Sequence, residues 1–143
     1  MNKHVFPLRK FETAQILPIV AIGMVAIIGL AAILLDGGVL MANRRAAQAA
    51  ADAGALAGAR LSCQHASAST IEAEARHYAV DLNNADPDTT TVTYSSGTGL
   101  VTVVAQMRQD SWFARIFGED TLSAGASASA GCYSPSAGQR MLP

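Results

Sequence analysis

A chain of 143 residues with a formal net charge of -1 has room for one small domain beyond any membrane segment. The near balance of charge excludes the basic excess that nucleic-acid binding normally requires, so no nucleic-acid partner is expected. Hydrophobic residues make up 50% of the chain but aromatic residues only 6%, so the fold must rely on close backbone packing rather than on large core side chains.

The first predicted element is a transmembrane helix over residues 16–35. This stretch carries no charge and no side-chain hydrogen-bonding group, over about the 20 residues that a helix needs to cross the hydrocarbon core of a bilayer. Pro18 falls in the first turn, where a missing N–H is tolerated, so it marks the start of the helix. The span is therefore expected to contact membrane lipid.

Flanking charge predicts how this span is oriented. Lys3, Arg9 and Lys10 precede it closely, whereas the next arginines follow about two turns beyond its end. This bias favours a cytoplasmic N-terminal segment over residues 1–15, with the rest of the chain on the far side of the membrane. A cleavable secretory signal is the alternative, but the apolar run exceeds the about 7–15 residues usual for a signal core.

Residues 36–60 are rich in alanine and glycine, so a helical extension of the span is predicted. Small residues recur at every fourth position and would let another helix approach to backbone contact. Two occupants of this helix-packing interface remain open, namely a helix of another protein and the chain's own outer domain. This Ala/Gly stripe consists of Ala46, Ala50, Gly54 and Gly58.

Asp36 lies at the predicted exit from the membrane. A carboxylate at the edge of the hydrocarbon must be solvated or paired. We interpret this membrane-exit acid either as a residue at headgroup level or as a charge that registers one subunit against another. Asp52, further along the extension, is open to the same functional interpretation, but an ordinary exposed or capped helical residue is favoured there.

Residues 61–132 are predicted to form a small α+β domain. Ser69 or Thr70 can cap a helix whose apolar positions recur at helical spacing from Ile71 to Leu82. The period then changes to two, which predicts antiparallel strands, the first two of them joined by a glycine-containing hairpin turn. The strands are predicted over residues 91–94, 100–108 and 122–130, and residues 133–143 are predicted to be a flexible tail.

The two cysteines stand just before the predicted soluble helix and just after the last predicted strand. A Cys63–Cys132 disulfide would close nearly the whole outer domain, a loop of about 70 residues that stabilises the fold by about 4 kcal/mol in the chain-entropy model. We predict this bond because an outer compartment permits oxidation. Two buried thiols are the alternative.

Large apolar side chains concentrate in one short segment, which holds Trp112, Phe113, Ile116 and Phe117. A small domain with few large residues needs such side chains inside, so the cluster is predicted to lie in the core. An adhesive or membrane-touching patch is the alternative.

The sequence offers no constellation for catalysis. It contains no phosphate-binding glycine motif and no recognisable set of acid, base and nucleophile. Cys63 and His65 lack the spacing and the companion ligands of a zinc site. The protein is therefore predicted not to be an enzyme and to bind no metal or cofactor.

Several stretches together resemble the TadE/TadG-like family of the bacterial tight-adherence (Flp-type) pilus systems. Residues 12–15 resemble the family's E-x-G-Q motif, residues 36–38 its Asp-x-Gly motif at the membrane exit, and residues 48–59 its Q-x-A-A-D-A-A-A-L-A-G-A helix. Ala14 stands where the first motif usually has glycine, so an uncleaved anchor is favoured. In the outer domain the resemblance extends to residues 101–103, 112–118 and 127–130.

This resemblance implies a non-enzymatic structural or accessory component of a tight-adherence pilus or a related secretion system. Such a protein would be a pseudopilin-like, single-pass protein of the bacterial cytoplasmic (inner) membrane, with its C-terminal domain outside. Its expected partners are other pilus or assembly-platform proteins, in a homo- or hetero-oligomer formed through the Ala/Gly helix. The alternative function is a membrane-tethered binding or sensing module, in which the span is only an anchor.

Overall fold

A computed structural model describes residues 16–132, which separate into two units between Leu35 and Asp36. The predicted α+β architecture is confirmed, with one long apolar helix, a short helix and three antiparallel strands. The predictions for residues 1–15 and 133–143 lie outside the described residues. The elements are helix α1 (Ile16–Cys63), helix α2 (Ala68–Arg76), a π-helical turn (His77–Asp81), strand β1 (Thr91–Ser95), strand β2 (Leu100–Asp110), a 3₁₀ turn (Ala114–Phe117) and strand β3 (Thr121–Gly131).

The first unit is the apolar beginning of α1. Its isoleucine, leucine, valine and methionine side chains are exposed all around the helix from Ile16 to Leu35. Within the part of the chain that the structure describes, α1 is the one helix long and apolar enough to cross a membrane. This arrangement is compatible with the predicted anchor, since such a surface is stable only where water is absent.

The second unit, residues 36–132, is called the outer unit below. Its α1 segment continues without a break through Gly37 and Gly38 to Cys63, so the glycines do not end the helix. Alanines of this segment lie in the same hydrophobic core as the sheet. The sequence divides residues 36–60 from residues 61–132, whereas in the structure the two segments form one compact unit.

The sheet of the outer unit has the order β1-β2-β3, with antiparallel pairing on both sides of β2. Directly paired residues share a face, so Val103 lies between Val92 of β1 and Ala128 of β3. Alternation along β2 buries one face and leaves the other in contact with solvent, as the period of two predicts. The buried β2 side chains are Val101, Val103, Ala105 and Met107.

Helix α2 differs from its prediction at both ends. Its N-cap is Ser67, whose hydroxyl accepts from the Thr70 N–H at 3.3 Å, instead of Ser69 or Thr70. At the other end, the π-helical turn accommodates an extra residue, so Ala79 is buried while Leu82 remains 55% exposed. Ile71 and Ala75 face the core as predicted.

Candidate functional site

The Ala/Gly stripe of α1 is used largely inside the outer unit. A Cβ atom placed on Gly54 would lie 2.7 Å from the carbonyl oxygen of Ala75, and one placed on Gly58 would lie 2.9 Å from a Val101 methyl group. These glycines therefore let α1 approach both α2 and the sheet more closely than any larger residue permits. Ala50 is also fully buried, whereas Ala46 is exposed.

Of the two occupants that the sequence leaves open for this stripe, the structure shows the chain's own outer domain. Gly54 and Gly58 contact residues of α2 and β2, so no surface remains there for a helix of another protein. The reason is geometric, since the small core of alanine and valine needs close backbone packing to exclude water. Any partner of this segment must contact another face of α1.

That other face of α1 is solvent-accessible along about four helical turns. It carries one charged residue of each sign, and Gln48 donates a 2.9 Å hydrogen bond to Asp52. It also carries two large exposed apolar side chains, Leu56 at 65% and Met41 at 64%. We call this surface the outward face of α1; its residues are Met41, Arg45, Gln48, Ala49, Asp52 and Leu56.

Cys63 and Cys132 form a disulfide, with a Cα–Cα distance of 5.3 Å. The bond joins the end of α1 to the residue that follows β3. It closes a loop with a sequence separation of 69 residues, which contains α2 and the whole sheet. The arrangement matches the pairing predicted from the sequence.

Asp36 binds a segment that lies far away in the sequence. Its carboxylate accepts backbone N–H groups of Trp112 at 3.3 Å, Phe113 at 3.1 Å and Ala114 at 2.8 Å. These three donors open the 3₁₀ turn and have no partner within the turn itself. A carboxylate is the strongest side-chain acceptor for such a group of donors, so Asp36 positions the start of this turn.

The segment that Asp36 positions, Trp112–Phe117, is called the aromatic loop here. The prediction that it lies in the core is wrong, because Trp112 is 74%, Ile116 78% and Phe117 88% exposed. The core has no room for these large side chains, since alanines and glycines already fill the space between α1 and the sheet. Phe113 alone of the four is half-buried.

The aromatic loop is held in a defined conformation at its base. Ser111 is buried, its N–H donates to the Asp120 carbonyl at 3.0 Å, and its hydroxyl donates to the Glu119 carbonyl. Gly118 ends the turn with a φ of +90°, a conformation that glycine adopts without strain. The exposed side chains are therefore displayed by an ordered turn.

Asp86 forms a second group of hydrogen bonds, together with an ion pair, between the end of α2 and the sheet. Its carboxylate accepts the N–H groups of Asp88 at 2.9 Å and Thr89 at 3.2 Å and lies 3.6 Å from the Arg108 guanidinium. The Asp88 N–H, with help from Thr89 and Arg108 and against the effect of burial, lowers the pKa of Asp86 below its ordinary value of 3.8. The backbone N–H of Asp86 also donates to the backbone carbonyl oxygen of Gln106 on β2 at 2.7 Å.

The contacts of Asp36, Asp86 and the disulfide join elements of the outer unit to one another. Among residues 16–132, no three His, Cys, Asp or Glu side chains come together as a metal site requires. The role of Asp36 was not predicted, because its donors are backbone groups 76 to 78 positions away in the sequence. The only sequence signal was the position of this carboxylate at the end of an apolar run.

Comparison with known proteins bears on the first part of the chain. The family model described as Flp pilus-assembly TadE/G-like matches residues 14–61. The match covers the apolar span and the Ala/Gly-rich segment, and over these residues it confirms the resemblance predicted from the sequence. Searches of curated proteins and of solved structures found no significant match. The resemblance of the outer-domain stretches stays a prediction.

Proposed function

From the match of residues 14–61 to the TadE/G-like pilus-assembly family, we propose that this protein is a non-enzymatic structural or accessory component of a tight-adherence (Flp-type) pilus or a related secretion system. The family match supports a pilus-associated role and is the observation that carries the proposal. Residues 16–35 anchor the chain in the cytoplasmic membrane, with the N-terminus in the cytoplasm and the outer unit on the far side.

Two properties of the apolar segment support this anchoring. Its side chains are exposed on every side of the helix, and it carries no charge from Ile16 to Leu35. Surface of this kind is removed from water either by lipid or by other apolar helices. The disulfide between Cys63 and Cys132 fits an outer unit that lies in an oxidising compartment.

The partner-binding surface of the proposal is the outward face of α1. The Ala/Gly stripe itself is occupied by α2 and β2, so the oligomer expected through this helix forms on the opposite side. Leu56 provides a large exposed apolar contact there, close to the end of the matched segment. Helix packing with pilus or assembly-platform proteins would bury it.

The proposal is tested by replacing residues 16–35 with an unrelated transmembrane helix in an epitope-tagged, full-length protein. A pilus component should lose pilus assembly, because its span packs against partner helices. Shearing of cells followed by membrane fractionation then locates the native protein. Recovery with sheared filaments indicates a subunit, retention in the membrane indicates an assembly factor, and the intact mass shows whether the N-terminus is processed.

The outward face has its own test. Leu56→Asp should abolish assembly while leaving the outer unit folded, because this side chain is exposed in the isolated chain. Leu82→Asp is the matched control, since Leu82 is similarly exposed but lies after α2. Equal loss of assembly in both variants, or in neither, would contradict a specific role of the outward face.

The membrane-tethered binding or sensing module remains the alternative function. It predicts that an unrelated span supports full function, since the span is then only an anchor. The two proposals therefore differ in the outcome of the same replacement.

A further inference from the structure

The aromatic loop displays an apolar surface that no part of the outer unit covers. Trp112, Ile116 and Phe117 are the three most exposed large apolar side chains of that unit. They project from one ordered turn that is closed by Ser111 and Gly118, so little conformational entropy would be lost on binding. Exposed apolar surface of this kind on a small domain marks a site of contact with a membrane or with another protein.

The contact to Asp36 ties this surface to the residue that directly follows the chain's apolar run. Asp36 directly follows Leu35, the last residue of that run. Because its carboxylate accepts N–H groups of Trp112, Phe113 and Ala114, the aromatic loop begins within hydrogen-bonding distance of the first polar residue after the span. If residues 16–35 lie in a bilayer, Asp36 lies at headgroup level and so does the start of the loop.

The composition of the loop fits that depth. Tryptophan is enriched at the boundary between headgroups and acyl chains, and phenylalanine and isoleucine gain free energy by entering the adjacent hydrocarbon. The one charged side chain within the loop, Arg115, is itself mostly exposed and lies 3.7 Å from Asp120. An arginine at this level can contact lipid phosphates while its aliphatic stem stays among apolar groups.

We propose that the aromatic loop is a membrane-interface anchor that inserts Trp112, Ile116 and Phe117 into the outer leaflet. Asp36 is its positioning residue, since it holds the loop at the membrane exit without itself contacting hydrocarbon. The inference rests on the proposed anchoring of residues 16–35. It adds that the outer unit is attached to the bilayer at two points, through the span that precedes Asp36 and through the aromatic loop.

The protein contains a single tryptophan, which makes Trp112 a direct reporter of this contact. The full-length oxidised protein is reconstituted into phosphatidylcholine vesicles that contain lipids brominated at shallow or deep acyl positions. We expect tryptophan emission that is shifted to the blue relative to the denatured protein and quenched more strongly by shallow bromines than by deep ones. Trp112 that is quenched by aqueous iodide and by neither bromolipid overturns the proposal and leaves the loop to a protein partner.

A second reporter separates this failure from failure of the anchor. In the Trp112→Phe, Ile27→Trp variant the only tryptophan lies within the apolar span, and deep bromines should quench it. Quenching of this reporter with no quenching of native Trp112 sinks the interface anchor and leaves the transmembrane helix intact. Absence of quenching at both positions contradicts the membrane anchoring on which both proposals rest.

Asp36→Asn tests the positioning role. The amide is a weaker acceptor for the three N–H groups, so quenching of Trp112 by shallow bromines should decrease and its access to iodide should increase. Asp52→Asn removes a carboxylate from the same helix at a distance from the loop and should leave both readings unchanged. Identical quenching in Asp36→Asn and the native protein would overturn the role of Asp36.

Discussion

In α1 between Ala47 and Ala59 the small residues are buried, whereas in the aromatic loop the large residues are exposed. Along α1, the residues with no side chain or a single methyl group are the most deeply buried, including Ala50, Ala51 and Gly54. In the loop, Trp112 and Phe117 are among the largest side chains of the outer unit and among its most exposed. Burial in this protein therefore does not follow residue size.

This difference indicates that the outer unit is stabilised by close approach of its backbones rather than by large buried side chains. Glycine and alanine bury little area each, but they allow backbones to approach and gain many close dispersion contacts. A core built in this way has no space left for an indole ring. Its largest fully buried side chains are Ile71, Val101 and Val103.

The largest expected effect comes from the disulfide, and it tests whether the small core is sufficient alone. Replacing Cys63 and Cys132 with serine should lower the free energy of unfolding by about 4 kcal/mol, because the open loop is then free in the unfolded chain. Urea unfolding in detergent, followed by circular dichroism, measures the change.

Reductant provides the control for this experiment. It should destabilise the native protein and leave the double serine variant unaffected. Unchanged stability of the serine variant would mean that proximity packing alone sustains the outer unit.

Gly54→Ala directly tests the close approach of α1 to α2. The added Cβ would lie 2.7 Å from the Ala75 carbonyl oxygen, which belongs to the backbone and cannot rotate away. We expect a loss of about 3 kcal/mol in unfolding free energy, at the upper end for an overpacked core.

Gly37→Ala is the matched control, because a Cβ there meets nothing within 4 Å. It should stabilise the helix by about 0.5–1 kcal/mol, since alanine loses less backbone entropy than glycine. Opposite signs at the two positions support the close approach, whereas stabilisation at both would contradict it.

Acidification should have a smaller effect on stability, and it tests the hydrogen bonds and the ion pair that Asp86 forms at the edge of the core. The pKa of Asp86 is lowered in the folded protein, mainly by the Asp88 N–H, so the unfolded chain binds more protons at low pH. The contribution of Asp86 is therefore present above about pH 4 and is lost as the pH falls through the lower folded value. Thermal unfolding from pH 6 to pH 2 should show this decline.

Asp86→Asn should be less stable at neutral pH and should lose part of the acid-dependent decline. Asp52→Asn, which removes a carboxylate that accepts one hydrogen bond from Gln48, should leave the decline in place. If Asp86→Asn shows the same pH dependence of stability as the native protein, the Asp86 carboxylate does not stabilise the fold as proposed.

The smallest expected effect is that of Trp112→Ala. Because the indole is 74% exposed, the unfolding free energy should change by no more than about 0.5 kcal/mol. Val103→Ala, a far smaller change in volume, should cost about 2 kcal/mol because this valine is fully buried. A loss for Trp112→Ala as large as that for Val103→Ala would break the contrast between the two regions.

Local patterns predicted much of this fold. The period of two placed β2 and β3 within two residues of their observed ends, and the apolar run identified the beginning of α1. Local patterns failed at the end of α2, where the π-helical turn shifted burial from Leu82 to Ala79. Such a shift depends on what the helix packs against, which the pattern of its own residues does not contain.

The candidate site divides in the same way. The sequence by itself determined the apolar span, the Ala/Gly stripe, the sheet and the pairing of Cys63 with Cys132, because each follows from composition, periodicity or the presence of two cysteines. Only the tertiary structure decided that the stripe packs on its own domain, that the aromatic loop faces outward and that Asp36 holds it. These outcomes depend on which surfaces compete for the same limited space and on contacts between segments more than 70 residues apart, where local periodicity carries no information.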